Sequence, residues 1–457
     1  MNDFTNNDIL DFGPVRDTTK DIIKVVGVGG GGCNAVANMF LDGMESVRFA
    51  VCNTDSKSLS TNPVPTKIML GKSGLGAGAD PEKGRKEAES NIDEIRSLFD
   101  DNTKMVFVTA AMGGGTGTGA GPLVAKISRE MGKLTIGIVT IPFYFERRPK
   151  IIKALKGLDE MRSNVDALLI INNEQISKVY SDSHISVNEA LKLADNVMGN
   201  AVRSISELIT LTGKIQVDFA DVKTTMTNGG GAIMAIGRAS GEHRVRNAVL
   251  DALNSPLLYG ADISKATRVL INIYTSSEHE LFVDELAEID TFMDELDSNI
   301  EVIWGMAKDD TLDEDAKITI LATGFDNSIP VETKKAETTE DYNEIIDKLY
   351  GRNKKIEDVV PVADPPFTVV VPEAPETCEG NTVVENENGF IAVGNDIDPD
   401  EDQTIKDDSS EPEETNEHEP IEVTKPEPKY EDPAKSFLNR VKARIISGLS
   451  ELTKPDE

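Results

Sequence analysis

Residues 105–119 read MVFVTAAMGGGTGTG. An apolar run, Met105 to Thr109, leads into Gly113, Gly114, Gly115, Thr116, Gly117, Thr118 and Gly119, five glycines and two hydroxyls in seven residues. From Thr118 to Met131 the spacing is helical. A strand that dissolves into glycine and re-forms as a helix leaves backbone N–H groups uncrowded by side chains at a helix N-terminus, where an anion is favoured. The same grammar occurs once before. Ile22 to Gly27 reads as a short strand, and Gly27-Val-Gly-Gly-Gly-Gly-Cys33-Asn34 precedes a helical stretch ending near Met44. Gly27, Gly29 and Gly32 fit G-x-G-x-x-G, which alone is a weak signal that also suits a tight turn or a dinucleotide fold, with Asp55 available to a ribose. Two glycine loops on adjacent βα units point instead to a nucleotide with a full phosphate chain.

Outward from these loops the chain alternates strand and helix. Val47–Val51, Leu134–Ile141 and Ala167–Asn172 read as strands, and Pro81–Leu98 as one charged amphipathic helix. This rhythm predicts a parallel sheet with helices on both faces over residues 21–186, ligands binding at the C-terminal strand edge. Val187–Leu211 is a long helical stretch, a spine between two domains. Residues 212–327 read as a smaller α/β domain with strands at Gly231–Arg238, Thr267–Tyr274, Ile300–Trp304 and Ile318–Gly324, Trp304 being read as core. Gly71-Lys72-Ser73 resembles the end of a Walker A loop, but Thr66 stands where that pattern requires glycine, so Lys72 reads as a surface charge. Gly74-Leu-Gly-Ala-Gly-Ala79 is a further glycine-rich turn that could close over phosphates.

At 457 residues the chain is too long for one ordinary domain, and its net charge of −33 disfavours general nucleic-acid binding. The charge is concentrated: residues 372–432 hold 21 acids against three lysines. Like charges with little apolar surface predict a disordered linker over 328–431. Its start is open, because Tyr342, Ile345, Ile346, Leu349 and Tyr350 could form a short helix. The first 20 residues also read as a tail. Beyond the acid, residues 432–449 reverse sign: Lys435, Arg440, Lys442 and Arg444 accompany Phe437, Leu438, Val441, Ile445 and Leu449 at helical spacing, a basic amphipathic segment suited to a partner or a membrane surface. Three cysteines make no disulfide framework and fit a reducing cytoplasm. The four histidines show no metal spacing. No secretory leader or transmembrane run is read.

The loop GGGTGTG at 113–119 is similar to the tubulin signature loop. With IKVVGVGGGGCNAV at 23–36, VCNTD at 51–55, GLGAGADPEKG at 74–84 and VDFADV at 217–222, the chain resembles the FtsZ family of bacterial tubulin-like cell-division GTPases. The motifs run from about residue 21 to 325. DPAKSFLNR at 432–440 resembles that family's C-terminal recognition peptide, with a variable linker between.

The resemblance implies a tubulin-like fold and GTP held at its phosphates by Gly30, Gly31, Gly32, Cys33 and Asn34 of the first loop and by Gly113 to Gly119 of the second, with Asn53 and Asp55 alongside. Cys33 serves as a small side chain, not as a nucleophile. Glu146 in PFYFERRPK falls on the family's ribose-binding glutamate. Lys150 stands where arginine is usual, and Arg147 and Arg148 are the candidates to compensate for it. Asp195 corresponds to the base-reading aspartate, and Leu191 replaces an aromatic that stacks on the base. Gln216 stands where asparagine is usual, before Asp218 and Asp221. Read alone, that pair suits a helix N-cap, Asp218 being a plausible cap. The resemblance makes it a catalytic loop that enters the nucleotide site of the next subunit in a head-to-tail polymer, where the two carboxylates orient water for attack on the γ-phosphate. Mg²⁺ would arrive with the nucleotide, with no direct metal ligand in the chain. Phe437, Leu438, Arg440 and Val441 would bind membrane-anchored division proteins, placing the protein in the cytoplasm at mid-cell beneath the inner membrane. Two other readings stay open on the residues: a nucleotide-regulated scaffold with little hydrolysis, which the departures at Lys150, Leu191 and Gln216 leave open, and a dinucleotide-dependent oxidoreductase, which the second loop argues against.

Overall fold

The computed structural model describes residues 22–44, 47–179, 186–255, 263–294, 296–325 and 338–350. The tail before residue 21 and the acidic and basic segments beyond 350 lie outside them. Along the chain the elements are β1 (Ile23–Val28), α1 (Gly29–Leu41), β2 (Val47–Asn53), α2 (Ser56–Thr61), β3 (Thr66–Met69), α3 (Pro81–Glu89), α4 (Ile92–Ser97), β4 (Met105–Ala111), α5 (Thr116–Glu130), β5 (Leu134–Ile141), α6 (Arg148–Asn164), β6 (Ala167–Asn172), α7 (Asn173–Val179) and the spine α8 (Val187–Thr210). Then follow α9 (Phe219–Met226), β7 (Gly230–Ala239), α10 (Arg244–Ala252), β8 (Arg268–Thr275), α11 (Val283–Met293), β9 (Glu301–Lys308), β10 (Ala316–Phe325) and α12 (Thr339–Leu349).

The strands form one sheet in the order β3-β2-β1-β4-β5-β6-β7-β10-β8-β9. Pairing from β3 through β6 is parallel throughout. All of β1 and the first six residues of β4 are buried, because helices cover both faces; hence the unbroken apolar runs in their sequences. On one face α1 and α8 pack Cys33, Val36 and Met39 against Met198 and Val202. On the other, α5 and α6 pack Val124 and Ile127 with Ile151 and Leu155. Strand order reverses between β1 and β4, the switch point at which a crevice opens beyond the strand C-termini. Both glycine loops leave the sheet there.

The C-terminal half departs from a simple parallel reading. It does not start a new sheet: β7 continues the first through Ala167–Leu169 paired in parallel with Gly230–Ala232. Beyond β7 the pairing is mixed, β10 lying antiparallel to both β7 and β8, and β8 parallel to β9. Trp304, read from sequence as core, is 40% exposed. It sits on β9, paired among named strands only with β8, and period-2 alternation turns Trp304 outward with Val302. The helix expected over 81–98 is two helices. At the break, the Ser90 hydroxyl bonds back to Glu87 O, and Asn91 Oδ1 accepts from the Gly71 N–H at 2.7 Å. Short polar side chains that bond backbone in this way compete with the helix ladder. The open question at residues 342–350 resolves as α12, capped by Thr338 and docked on α6.

One buried charge ties β1 to the turn before β4. Lys24, 7% exposed, reaches Asp101 at 2.7 Å and also bonds Leu98 O. Partial burial raises the Asp101 carboxyl, but hydrogen bonds from Lys24 and Thr103 more than reverse this and bring it down to about 2. A depressed folded pKa contributes stability above the unfolded value near 4, and that contribution is lost as pH falls toward 2. Asp101→Asn leaves Lys24 buried without its carboxylate and should cost about 3 kcal/mol in urea unfolding at pH 7. The gap to the wild type should close as the pH is lowered from 4 to 2.

Candidate functional site

The site begins where α1 and α5 start. Gly29 has φ +74°, and a Cβ there would lie 2.6 Å from Gly117 N, so the two helix N-termini touch backbone to backbone. Neither first turn carries an acid or a side-chain cap bond. Two partial positive charges therefore converge without a protein anion between them. The loop glycines divide into two sets. A Cβ on Gly32 would meet Thr109 O at 2.3 Å, on Gly119 Pro81 O at 1.9 Å, and on Gly31 the Ala111 Cβ at 2.5 Å. These positions allow close packing. A Cβ on Gly30 or Gly114 would meet nothing within 4 Å, so these two line the open side of the cradle.

The hydroxyls and the cysteine face inward. Thr118 Oγ1 accepts from the Gly113 N–H at 2.8 Å and pins the second loop. Thr116 Oγ1 lies 2.6 Å from Thr54 Oγ1, joining that loop to the end of β2. The Cys33 thiol is buried, 3.5 Å from Gly27 O and Cys52 O, and burial pushes it up to about 12. A thiol that stays protonated is no nucleophile. Asn34 beside it is exposed. Asn53 is buried and accepts from the Thr54 N–H. Asp55 caps α2 by accepting from the Ser58 N–H at 3.1 Å, so that oxygen is engaged within the chain. The turn 74–79 is held against β2 by Gly76 N–H to Thr54 O and Ser56 N–H to Gly74 O. Ala77 of this turn faces Gly115 closely enough that a Cβ on Gly115 would lie 2.7 Å from its own.

At the other end of α1 a polar cavity of about 430 Å³ opens between α1 and α8, lined by Asn38, Asp42, Asp195, Asn196, Asn200 and Arg203 among others. Asp195 accepts from Asn38 Nδ2 at 3.2 Å, and burial raises its carboxyl to about 6. Leu191 lies one turn earlier on α8 and is 45% exposed. Asn38 was not among the residues singled out from sequence. Its signal was its spacing, one helical turn beyond Asn34 on the same face.

Glu146 lies in a short turn between β5 and α6. Its Oε1 accepts from the Phe143 N–H at 3.0 Å, and its other oxygen pairs with Lys150. Arg148 does not stand in for arginine at 150. It turns away to Asp347 at 2.5 Å and to Asn343 Oδ1 at 3.0 Å, both on α12. Among the described residues no group of three or more His, Cys, Asp or Glu side chains is placed to hold a metal ion.

Asp218 and Asp221 are not at the cradle. Asp218 Oδ1 accepts from the N–H groups of Ala220 and Asp221, and Asp221 Oδ2 accepts from the Asp218 N–H at 2.9 Å. This reciprocal box starts α9, so the cap read from sequence is present, with one oxygen of each carboxylate engaged. Gln216 and Asp218 are exposed. The loop before them is fixed on β9 by Met306 N–H to Ile215 O at 2.9 Å. Asp195 sits near the start of α8 and this loop follows its end. At 1.5 Å per residue the helix between them is about 22 Å long. The loop rests on β9, which stands at the end of the strand order away from β1 and β4, the strands that carry the glycine loops.

The comparisons with known proteins agree with this architecture. Residues 22–181 match the Tubulin/FtsZ family, GTPase domain, and residues 230–326 match the FtsZ family, C-terminal domain. The chain is 47% identical over 324 residues to the cell division protein FtsZ of Porphyromonas gingivalis, covering 70% of each. The chain belongs to the FtsZ family. Among solved structures it is similar to an empty FtsZ dimer from M. jannaschii, at 37% identity and TM-score 0.62, covering 71% of this chain and 92% of that one. A GTPγS-bound protofilament of CetZ2 from Haloferax volcanii shares the fold, with TM-score 0.60 at 22% identity, covering 72% and 99%. As a member of the FtsZ family the chain is a tubulin-like GTPase that binds GTP and GDP.

The two sets of glycines separate by substitution. Gly30→Ala points into open space and should melt within about 1 °C of the wild type while losing at least tenfold in GTP affinity. Gly29→Ala combines positive φ with a backbone clash and should lose about 2 kcal/mol or more in thermal unfolding.

Proposed function

We propose that this FtsZ-family GTPase assembles head to tail and that GTP is hydrolysed only between subunits. One chain supplies the cradle of Gly30, Asn34 and Gly113 to Gly119 with Glu146 and Asp195; the next supplies Gln216, Asp218 and Asp221. What supports the split is the separation of the two sets: about 22 Å of α8 lies between Asp195 and the aspartate loop, and that loop rests on β9, at the far end of the strand order from β1 and β4. No side-chain movement brings them together within one chain, whereas a heterologous contact of one end on the other does so in every subunit of an open filament.

In the joined site the two helix N-termini hold the triphosphate oxygens. The free oxygens of Asp218 and Asp221 accept hydrogen bonds from a water in line with the γ-phosphate, with Gln216 beside them. The water oxygen bonds to phosphorus and the bond to the bridging β–γ oxygen breaks; the departing charge falls on GDP, one water proton stays on the released phosphate and the other passes to solvent. Mg²⁺, when bound with the nucleotide, would supply neutralisation of the phosphate chain. The loops offer N–H and hydroxyl groups, which suits a cation held by phosphate oxygens and water. Asp195 accepts from guanine N1–H and N2–H and so selects guanine over adenine. The segment 432–449 tethers the filament to membrane-anchored division proteins at the cytoplasmic face of the division site. It lies outside the described residues. Among those residues no helix is long and apolar enough to cross a membrane.

Specific activity per chain should rise steeply above a critical protein concentration, checked by phosphate release across a dilution series alongside sedimentation. Constant activity per chain excludes a shared site. Asp221→Ala should bind GTP normally and lose at least a hundredfold in turnover within assembled filaments. The Asp195 carboxyl, raised to about 6, must be ionised to accept from guanine. GTP affinity should therefore fall as pH drops from 7.5 to 5, and Asp195→Asn should remove that dependence. The apo protein should also lose stability as pH rises from about 4 to 6, because the unfolded chain ionises this carboxyl first.

A further inference from the structure

α12 is an 11-residue helix, too short to persist in water alone, so its order comes from what it touches. Tyr342, Ile346 and Leu349 recur at helical spacing and are buried in the same core as Ile151, Leu155 and Leu158 of α6. Its polar contacts fall on both flanks of one short segment. The Tyr350 hydroxyl donates to Pro142 O at 2.5 Å, and its ring lies 5.4 Å from that of Tyr144. Asp347 accepts from Arg148 at 2.5 Å, and Asn343 Oδ1 from the same guanidinium at 3.0 Å. Between Pro142 and Arg148 lies Glu146. Immediately after it Arg147 has φ +78°, a conformation an L-residue keeps only where its surroundings impose it. The anchors at 142, 144 and 148 lie on either side of that residue. α6, which α12 covers, also carries Lys150, the partner of Glu146.

We infer that α12 is a strap that holds the Pro142–Arg148 turn in its nucleotide-binding geometry, and that Arg148, Asp347 and Tyr350 are positioning residues for Glu146. This rests on the reading of Glu146 as the ribose ligand. Arg148 is thereby accounted for: it fixes the turn instead of meeting the nucleotide. Linkage requires the converse. If seated α12 favours the ribose, bound nucleotide favours seated α12 by the same factor.

The test uses the full chain and compares affinity for GDP with that for 2′,3′-dideoxy-GDP, which lacks the ribose hydroxyls. Glu146→Gln sets the reference by abolishing the preference for GDP. Asp347→Ala and Tyr350→Phe should each reduce that preference by about two- to tenfold, the scale of one positioning hydrogen bond. Their affinity for the dideoxy nucleotide should stay unchanged, a split that a general loss of structure would not produce. GDP should slow amide exchange in residues 343–349 of the wild type, less so in Glu146→Gln. If Glu146→Gln abolishes the preference while Asp347→Ala and Tyr350→Phe retain it in full, the strap is overturned and the ribose reading stands. If Glu146→Gln keeps the preference, the ribose reading falls and the strap's role with it.

Discussion

The N-termini of α1 and α5 meet backbone to backbone, Gly29 against Gly117, at the point where strand order reverses. Two helix dipoles presenting the same end to one small volume repel, and no carboxylate in either first turn relieves them. The arrangement is stable in a folded chain because β1 and β4, paired in register from Ile23 with Met105 to Val28 with Ala110, impose it from below. The sheet holds a concentration of positive dipole, and a polyanion is the ligand that satisfies it. The rest of the architecture follows as support: Thr54 and Thr116 lock the rim, Thr118 closes the second loop on itself, and the turn 74–79 lies across the start of α5.

The second constraint is length. α8 is continuous for 24 residues, capped at its start by the Ser186–Glu189 box, and buries apolar residues along its length. It acts as a rod that keeps the Asp195 pocket and the aspartate loop apart. The loop is not loose at its end: its pairing with Met306 on β9 and the α9 capping box give it a fixed shape before any partner arrives. Under the proposed head-to-tail assembly, a preorganised half-site at each end would let association complete the chemistry with little further ordering. The cap and the proposed catalytic role are therefore compatible readings of Asp218 and Asp221, because the cap engages one oxygen of each.

α12 adds a dependence that neither constraint contains. The turn bearing Glu146 has strained backbone at Arg147, and besides its own bonds between Phe143 and Glu146 it is held from outside by a helix nearly 200 residues later in the chain. The departure at Lys150 belongs to the same region, since Lys150 is paired with Glu146 and Arg148 is committed to α12.

Local residue pattern determined nine of the ten strands, all but the four-residue β3, together with the two glycine loops, the spine and the family. Buried parallel strands leave unbroken apolar runs, and phosphate loops need glycine at fixed intervals, so neither can be disguised by context. The α12 segment was visible as apolar spacing but undecided against the acidic stretch after it, because an isolated short helix has no stability of its own to read. Only tertiary structure decided the remainder. Asn38 joins Asp195 across two helices, Arg148 is diverted to α12, Trp304 lies on an edge strand, and the helix over 81–98 breaks where Asn91 meets Gly71. Each depends on a neighbour distant in sequence, and a residue's own spacing carries no record of what will stand opposite it once the chain has folded.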